Sequence, residues 1–139
     1  MQLTTYLNFG GKCEEACKFY EQHLGGKINF AMRHGEAPSG SPLGPDWEDK
    51  ILHANMTLGK TSLTGADVDP KKFQPMRSAY LTLTFDNTPD TDRVYALLSD
   101  VGEVFMPIAD SFFAHRSPCC ATGSASTGCC CTRSRGSRW

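Results

Sequence analysis

The chain has 139 residues with 14 basic and 15 acidic side chains, a net charge of −1, and is 40% hydrophobic and 21% charged. This is one ordinary domain's length with enough apolar residues to bury a core, and it excludes a disordered, collagen-like or strongly anion-seeking chain. No apolar run approaches the ~18 residues of a membrane span, and Met1-Gln2-Leu3-Thr4-Thr5 lacks the basic and apolar start of a leader, so no nucleic acid or membrane partner is expected and the cytoplasm is the expected compartment.

Leu3, Thr5, Leu7 and Phe9 alternate with Thr4, Tyr6 and Asn8, and Gly10-Gly11 close what reads as a strand. Cys13, Ala16, Cys17, Tyr20 and Leu24 then form the stripe of an amphipathic helix over 12–24, stopped by Gly25-Gly26. A second strand is predicted over Lys27–Arg33. Residues 34–49, with Pro38, Pro42, Pro45 and three glycines, form a loop long enough to act as a lid. Ile51–Leu58 alternates Leu52, Ala54, Met56 and Leu58 against His53, Asn55 and Thr57, and Gly59-Lys60 turns the chain into a strand over Thr61–Gly65. Tyr80–Phe85 alternates again. Thr88 is the expected cap and Pro89 the first-turn residue of a helix striped by Val94, Leu97, Leu98 and Val101, and Glu103–Met106 resumes strand.

Strand, helix, glycine stop and strand thus occur twice, at 3–32 and at 80–106. Two βαβββ modules fit residues 1–116, the first over 1–66 and the second over 78–116, the second short of about two strands. Residues 117–139 contain no Val, Ile, Leu, Met, Phe or Tyr but five of the seven cysteines, and three arginines without an acid. The body therefore carries 11 basic and 15 acidic groups, a net −4, against +3 for the tail. With no period, this tail reads as non-native and outside the fold. Cys119-Cys120 and Cys129-Cys130-Cys131 are adjacent, without the spacing or histidine of a zinc site. Back-translating from Ser117 with one base restored gives FAVLRDRFGINWMLLHE, two strand-like segments around a turn, so a reading-frame error is expected near the codon for Arg116. Cys13 and Cys17 read as small core residues rather than a redox pair.

The polar sides of three strands offer Thr4, Tyr6, Asn8, His53, Asn55, Thr57, Tyr80, Thr82 and Thr84. A curved sheet with this side concave would line a pocket, with His53 as its one group titrating near neutrality and Trp47 on the loop above. The expected ligand-binding residues are Tyr6, Trp47, His53, Asn55 and Tyr80, and His53 is the only catalytic candidate.

Tyr6-Leu7-Asn8-Phe9, Ala16-x-x-Phe19-Tyr20 and Leu24-Gly25-Gly26 resemble the vicinal oxygen chelate superfamily of glyoxalases, bleomycin-resistance proteins and extradiol dioxygenases. Lys50-Ile51-Leu52-His53-Ala54, Asp110-Ser111-Phe112-Phe113 and the restored DRFGINWML resemble its PhnB-like, demethylubiquinone-methyltransferase-like branch. The resemblance covers residues 1–116. It implies an α+β fold of paired βαβββ modules forming a cup-like mixed sheet with helices on the convex side, the second module truncated, commonly as a homodimer. The family's metal positions map to Thr4, His53, Tyr80 and a site in the missing strand, of which only His53 is a ligand type suited to a divalent metal. No cofactor is expected, a divalent metal through His53 being the alternative. The expected function is small-molecule binding with no assigned reaction. The alternatives are a metal-dependent lyase or dioxygenase on a vicinal-oxygen substrate, and a ligand-sequestering dimer of the resistance type.

Overall fold

A computed structural model describes residues 4–38, 40–41, 43–74, 80–106, 114–115, 119–122 and 128–134, and the chain divides after Gln74 into two compact units. The Asp110–Phe113 segment lies outside the described residues.

The first unit runs β1 (Thr5–Phe9), α1 (Cys13–Leu24), β2 (Lys27–Arg33), β3 (Ile51–Leu58) and β4 (Thr61–Asp67). Its sheet has the order β1-β4-β3-β2, with β1 parallel to β4 and the other pairs antiparallel, so the α+β, mixed-sheet expectation is met. The alternation in β1 buries Leu7 and Phe9, and the stripe of α1 buries Cys13, Ala16, Cys17 and Tyr20 against them. Helix α1 ends because Gly25 takes the left-handed conformation (φ +69°) and Gly26 N–H donates to the Tyr20 carbonyl at 3.1 Å. Helix and sheet meet closely at Gly65 of β4, where a Cβ would stand 2.9 Å from the Phe9 ring and 3.2 Å from Cys13 Sγ.

Three details depart from the predicted pattern. Strand β4 extends two residues further than expected and buries Asp67. In β3, Ile51 rather than Leu52 joins Ala54 and Met56 in the core, because the β2–β3 register shifts between Met32 and Arg33 and breaks the two-residue period. The loop over 34–49 is not open chain. It holds 3-10 turns at His34–Glu36 and Pro45–Trp47, and its base is closed by His34 N–H to the Lys50 carbonyl and Gly35 N–H to the Glu48 carbonyl, both 2.9 Å.

The second unit runs β5 (Tyr80–Phe85), α2 (Thr88–Val101), β6 (Gly102–Met106), β7 (Ala114–His115), β8 (Cys119–Thr122) and β9 (Gly128–Ser134). Val94 and Leu98 of the predicted stripe are buried with Thr91. The cap of α2 is Asn87, not Thr88: its Oδ1 accepts Asp90 N–H at 2.8 Å, leaving Thr88 as the first helical residue. The sheet order is β5-β9-β8-β6, with β5 parallel to β9 and β7 paired to β9 at the side. This is the order of the first sheet, with β8 and β9 in the third and fourth strand positions.

The sequence predicts a second module without those two strands and a tail outside the fold; residues 119–122 and 128–134 instead lie in the sheet. Strand pairing explains how a segment with no periodic side chains can do so. The ladder is built from backbone N–H and C=O groups, and β5 would otherwise present them unpaired.

Candidate functional site

The face of the first sheet turned away from α1 carries two rows of side chains. One is aromatic. The Tyr6 ring on β1 lies 5.9 Å from the His53 ring on β3, and the Phe30 ring on β2 lies 6.3 Å from His53 on the other side. Tyr6 Oη and His53 Nδ1 are 3.5 Å apart, at the edge of hydrogen-bond reach. Partial desolvation holds the Tyr6 hydroxyl above its ordinary value, so it is a protonated donor at neutral pH. Tyr6 and Phe30 are 52% and 50% exposed, a large apolar area to leave in water on one patch.

The second row is polar. Asn29 Nδ2 donates to Asn55 Oδ1 and to Thr57 Oγ1, each at 2.9 Å, and Asn55 Nδ2 donates to Ser62 Oγ at 2.8 Å. The rows stand together because β2 bulges: its register against β3 shifts between Ile28 and Phe30, so the consecutive residues Asn29 and Phe30 both reach the same face.

Of the five expected ligand-binding residues, the structure brings three together, Tyr6, His53 and Asn55. Trp47 is not with them. Its ring packs edge-on against His34 at 6.0 Å, in a cluster where His34 Nε2 lies 3.2 Å from the Asp67 carbonyl oxygen. That carbonyl can only accept, so Nε2 carries the proton, and Nδ1, buried, has no partner. A loop residue has no period to betray its direction, and the chemistry of Trp47 found an edge-to-face partner at the loop's own base. Tyr80 opens β5 in the second unit, paired with Gly128.

Asn29 and Phe30 are additions that the sequence reading missed, since a bulge leaves no alternation to read. Asp67 is a third. Its Oδ1 accepts the backbone N–H of Gly11 and of Cys13, both at 2.9 Å, and its Oδ2 accepts Ile51 N–H at 3.0 Å. It caps α1 from 54 residues away, where Lys12 provides no side-chain cap.

The donor set does not fit a divalent metal. Of the positions to which the resemblance maps the family's metal ligands, those in the first unit hold Thr4, an aliphatic hydroxyl, and His53, one imidazole with Tyr6 at its Nδ1. Among the described residues, no three His, Cys, Asp or Glu side chains gather into a group that could hold an ion.

Two units that open strand–helix and share one four-strand sheet order, each with its first strand parallel to its last, define a protein of the glyoxalase type with one polar and aromatic sheet face. The family model of the Glyoxalase/Bleomycin resistance protein/Dioxygenase superfamily matches residues 3–117, and the chain belongs to that superfamily. It is 26% identical over 123 residues to Protein YjdN of Escherichia coli strain K12, covering 83% of this chain and 84% of that protein. Among solved structures, protein PA1353 from Pseudomonas aeruginosa is similar with a TM-score of 0.84 and 27% identity, covering 96% of this chain and 98% of that one. The PhnB protein from Bacillus cereus shares the fold at a TM-score of 0.79 and 24% identity, over 96% of this chain and 100% of that one. The fosfomycin resistance protein FosX from Listeria monocytogenes shares the fold at 0.64 and 7% identity, over 98% and 94%. Among the described residues, no helix is long and apolar enough to cross a membrane.

Proposed function

We propose that the chain binds a small organic ligand on the open face of its first sheet, with no reaction assigned. The observation that carries this is the row Tyr6–His53–Phe30, two half-exposed rings on either side of one imidazole. Covering about 100 Å² on each ring would contribute on the order of 2–3 kcal/mol apiece before the cost of immobilising the ligand. With the Tyr6 hydroxyl donating to Nδ1, His53 keeps its proton on Nε2 and offers a donor to a ligand oxygen. The amide row beside it supplies orientation.

Binding without turnover would match the sequestering, resistance-type reading, and a homodimer belongs to that proposal. A calorimetric panel of flat aromatic and cationic aromatic compounds tests it. Phe30→Ala and His53→Ala are expected to weaken any hit roughly tenfold or more. Equal affinity in both variants would remove the open face from consideration, and a monomer mass by light scattering would remove the dimer.

The family match stops at residue 117, while the structural likeness to PA1353 covers 96% of the chain. The amino-acid likeness thus ends where the periodic sequence ends, and the backbone likeness does not. This supports the reading-frame proposal, in which FAVLRDRFGINWMLLHE occupies the β8 and β9 positions. Resequencing the locus around the codon for Arg116 tests it, and a natural gene with no missing base there refutes it.

A further inference from the structure

The open face of the first sheet carries a sign of charge, set by the residues its strands supply. Besides His53, the four strands hold one acid, Asp67, and two cations, Lys27 and Arg33. Asp67 is buried on the helix side, where it holds the start of α1, and Arg33 is paired with Glu14 of that helix. Lys27 remains. It stands opposite Thr57 in the β2–β3 register and so shares the open face with it. It is exposed, and no acid pairs with it among the described residues. Resting on the reading that this face binds a small organic ligand, we infer that the ligand is a planar aromatic carboxylate. Its ring lies on the Tyr6–His53–Phe30 row and its carboxylate at Thr57, Ser62 and Lys27.

The direction of the hydrogen bonds gives the same sign independently. Asn29 Nδ2 donates to Thr57 Oγ1 and to Asn55 Oδ1, and Asn55 Nδ2 donates on to Ser62 Oγ. Both lines of donation end on a hydroxyl oxygen. Each hydroxyl therefore keeps its own proton to give outward. With Tyr6 at Nδ1, His53 presents Nε2–H as a further donor. Neutral donors and one ammonium thus share a face on which no strand places a carboxylate. An anion is served by that arrangement, and a cationic ring finds nothing to pair with.

The spacing suits a single molecule. Phe30 stands opposite Asn55, and Thr57 follows two residues along β3, about 7 Å away. A fused two-ring acid spans that length, one ring over Phe30 and the carboxylate at the donors. Attraction of a cationic ring to the faces of Tyr6 and Phe30 is the competing chemistry. At an exposed site it is comparable with one surface ion pair, and Lys27 opposes it.

Calorimetric titration of the full-length chain at pH 7 with 2-naphthoate, 2-naphthamide and 2-naphthylmethylammonium tests this. The naphthoate should bind roughly fivefold tighter than the amide, the worth of one exposed charge pair, and the ammonium more weakly than the amide. In Lys27→Gln the acid-to-amide ratio should fall to about one, and Lys27→Arg should retain it. Salt at about 1 M, where the Debye length is ~3 Å, should also bring the ratio close to one. Equal binding of all three, lost together in Phe30→Ala, would leave the face a binding site and overturn its preference for anions. A naphthoate preference that survives Lys27→Gln would overturn the placement of the carboxylate. Binding of none of the three would overturn both this inference and the reading beneath it. So would self-association abolished by Phe30→Ala in place of ligand binding, which would put a second copy of the chain on the face.

Discussion

A carboxylate 2% exposed that accepts three backbone N–H groups is a costly residue to remove, because the donors it leaves behind stay buried. Asp67→Ala should lower stability by about 3 kcal/mol in urea denaturation, and a loss under ~1 kcal/mol would show that water replaces the carboxylate. Nothing around Asp67 in the sequence announces this role, since its partners Gly11 and Cys13 are 56 and 54 positions away. Tyr6, His53 and Asn55 were legible for the opposite reason: a two-residue period fixes their face without any distant contact.

Glu14 is the residue-scale source of pH dependence. Hydrogen bonds from Lys18 and then Arg33 hold its carboxyl below the ordinary range in the folded chain. The ionised form therefore stabilises above the unfolded value, and this contribution is lost as pH falls through the lower, folded one. Its side chain is 39% exposed, so screening limits the pairs to roughly 0.5–1 kcal/mol. Glu14→Gln should be less stable than the parent at pH 7 by about that much. The difference should close as acid protonates Glu14 in the parent, and a gap constant with pH would mean the loss is packing, not charge.

At the scale of elements, the strands and helices were readable wherever one local rule governs them. The stripe of α1, the stop at Gly25 and the alternation of β1 and β5 each lie within a few residues of chain. The misses fall where two elements negotiate. The bulge in β2 turns Asn29 and Phe30 to one face, and the shifted register admits Ile51 to the core; both are properties of the β2–β3 pair. The cap of α2 falls one residue before the expected Thr88 because Asn87 and Thr88 are both good caps, and only geometry shows which oxygen reaches Asp90 N–H. Asn87→Ala should cost about 1 kcal/mol of stability in thermal denaturation, while Thr88→Ala should cost less. The reverse ranking would restore the local reading.

At the scale of the molecule, the chain combines a first unit whose side-chain pattern and backbone agree with a second whose β8 and β9 join the sheet from a segment without periodic sequence. A sheet held by its ladder but short of large apolar side chains forgoes the burial that stabilises its counterpart, at about 25 cal/mol for each Å² not covered. Replacing residues 117–133 by FAVLRDRFGINWMLLHE should raise the melting temperature by several degrees and increase the soluble fraction. Unchanged melting in calorimetry would show that the Cys-rich segment serves the fold as well as the restored one. The repeat itself was legible because both copies keep their first strand, helix and second strand; its completion was not, because backbone pairing leaves no mark on composition.

The three donors gathered by Asp67 lie at the start of α1 and the start of β3, yet they share one acceptor group. None can be released by fraying its own element alone. The amides of Gly11, Cys13 and Ile51 should therefore exchange with deuterium at a common rate, as one cooperative opening of the first unit, and Asp67→Asn should speed all three together. Independent rates would mean that helix and strand open separately. On this view the slow event for the first unit is the arrival of β4, the last strand in sequence, which delivers the carboxylate that lets the first turn of α1 hold.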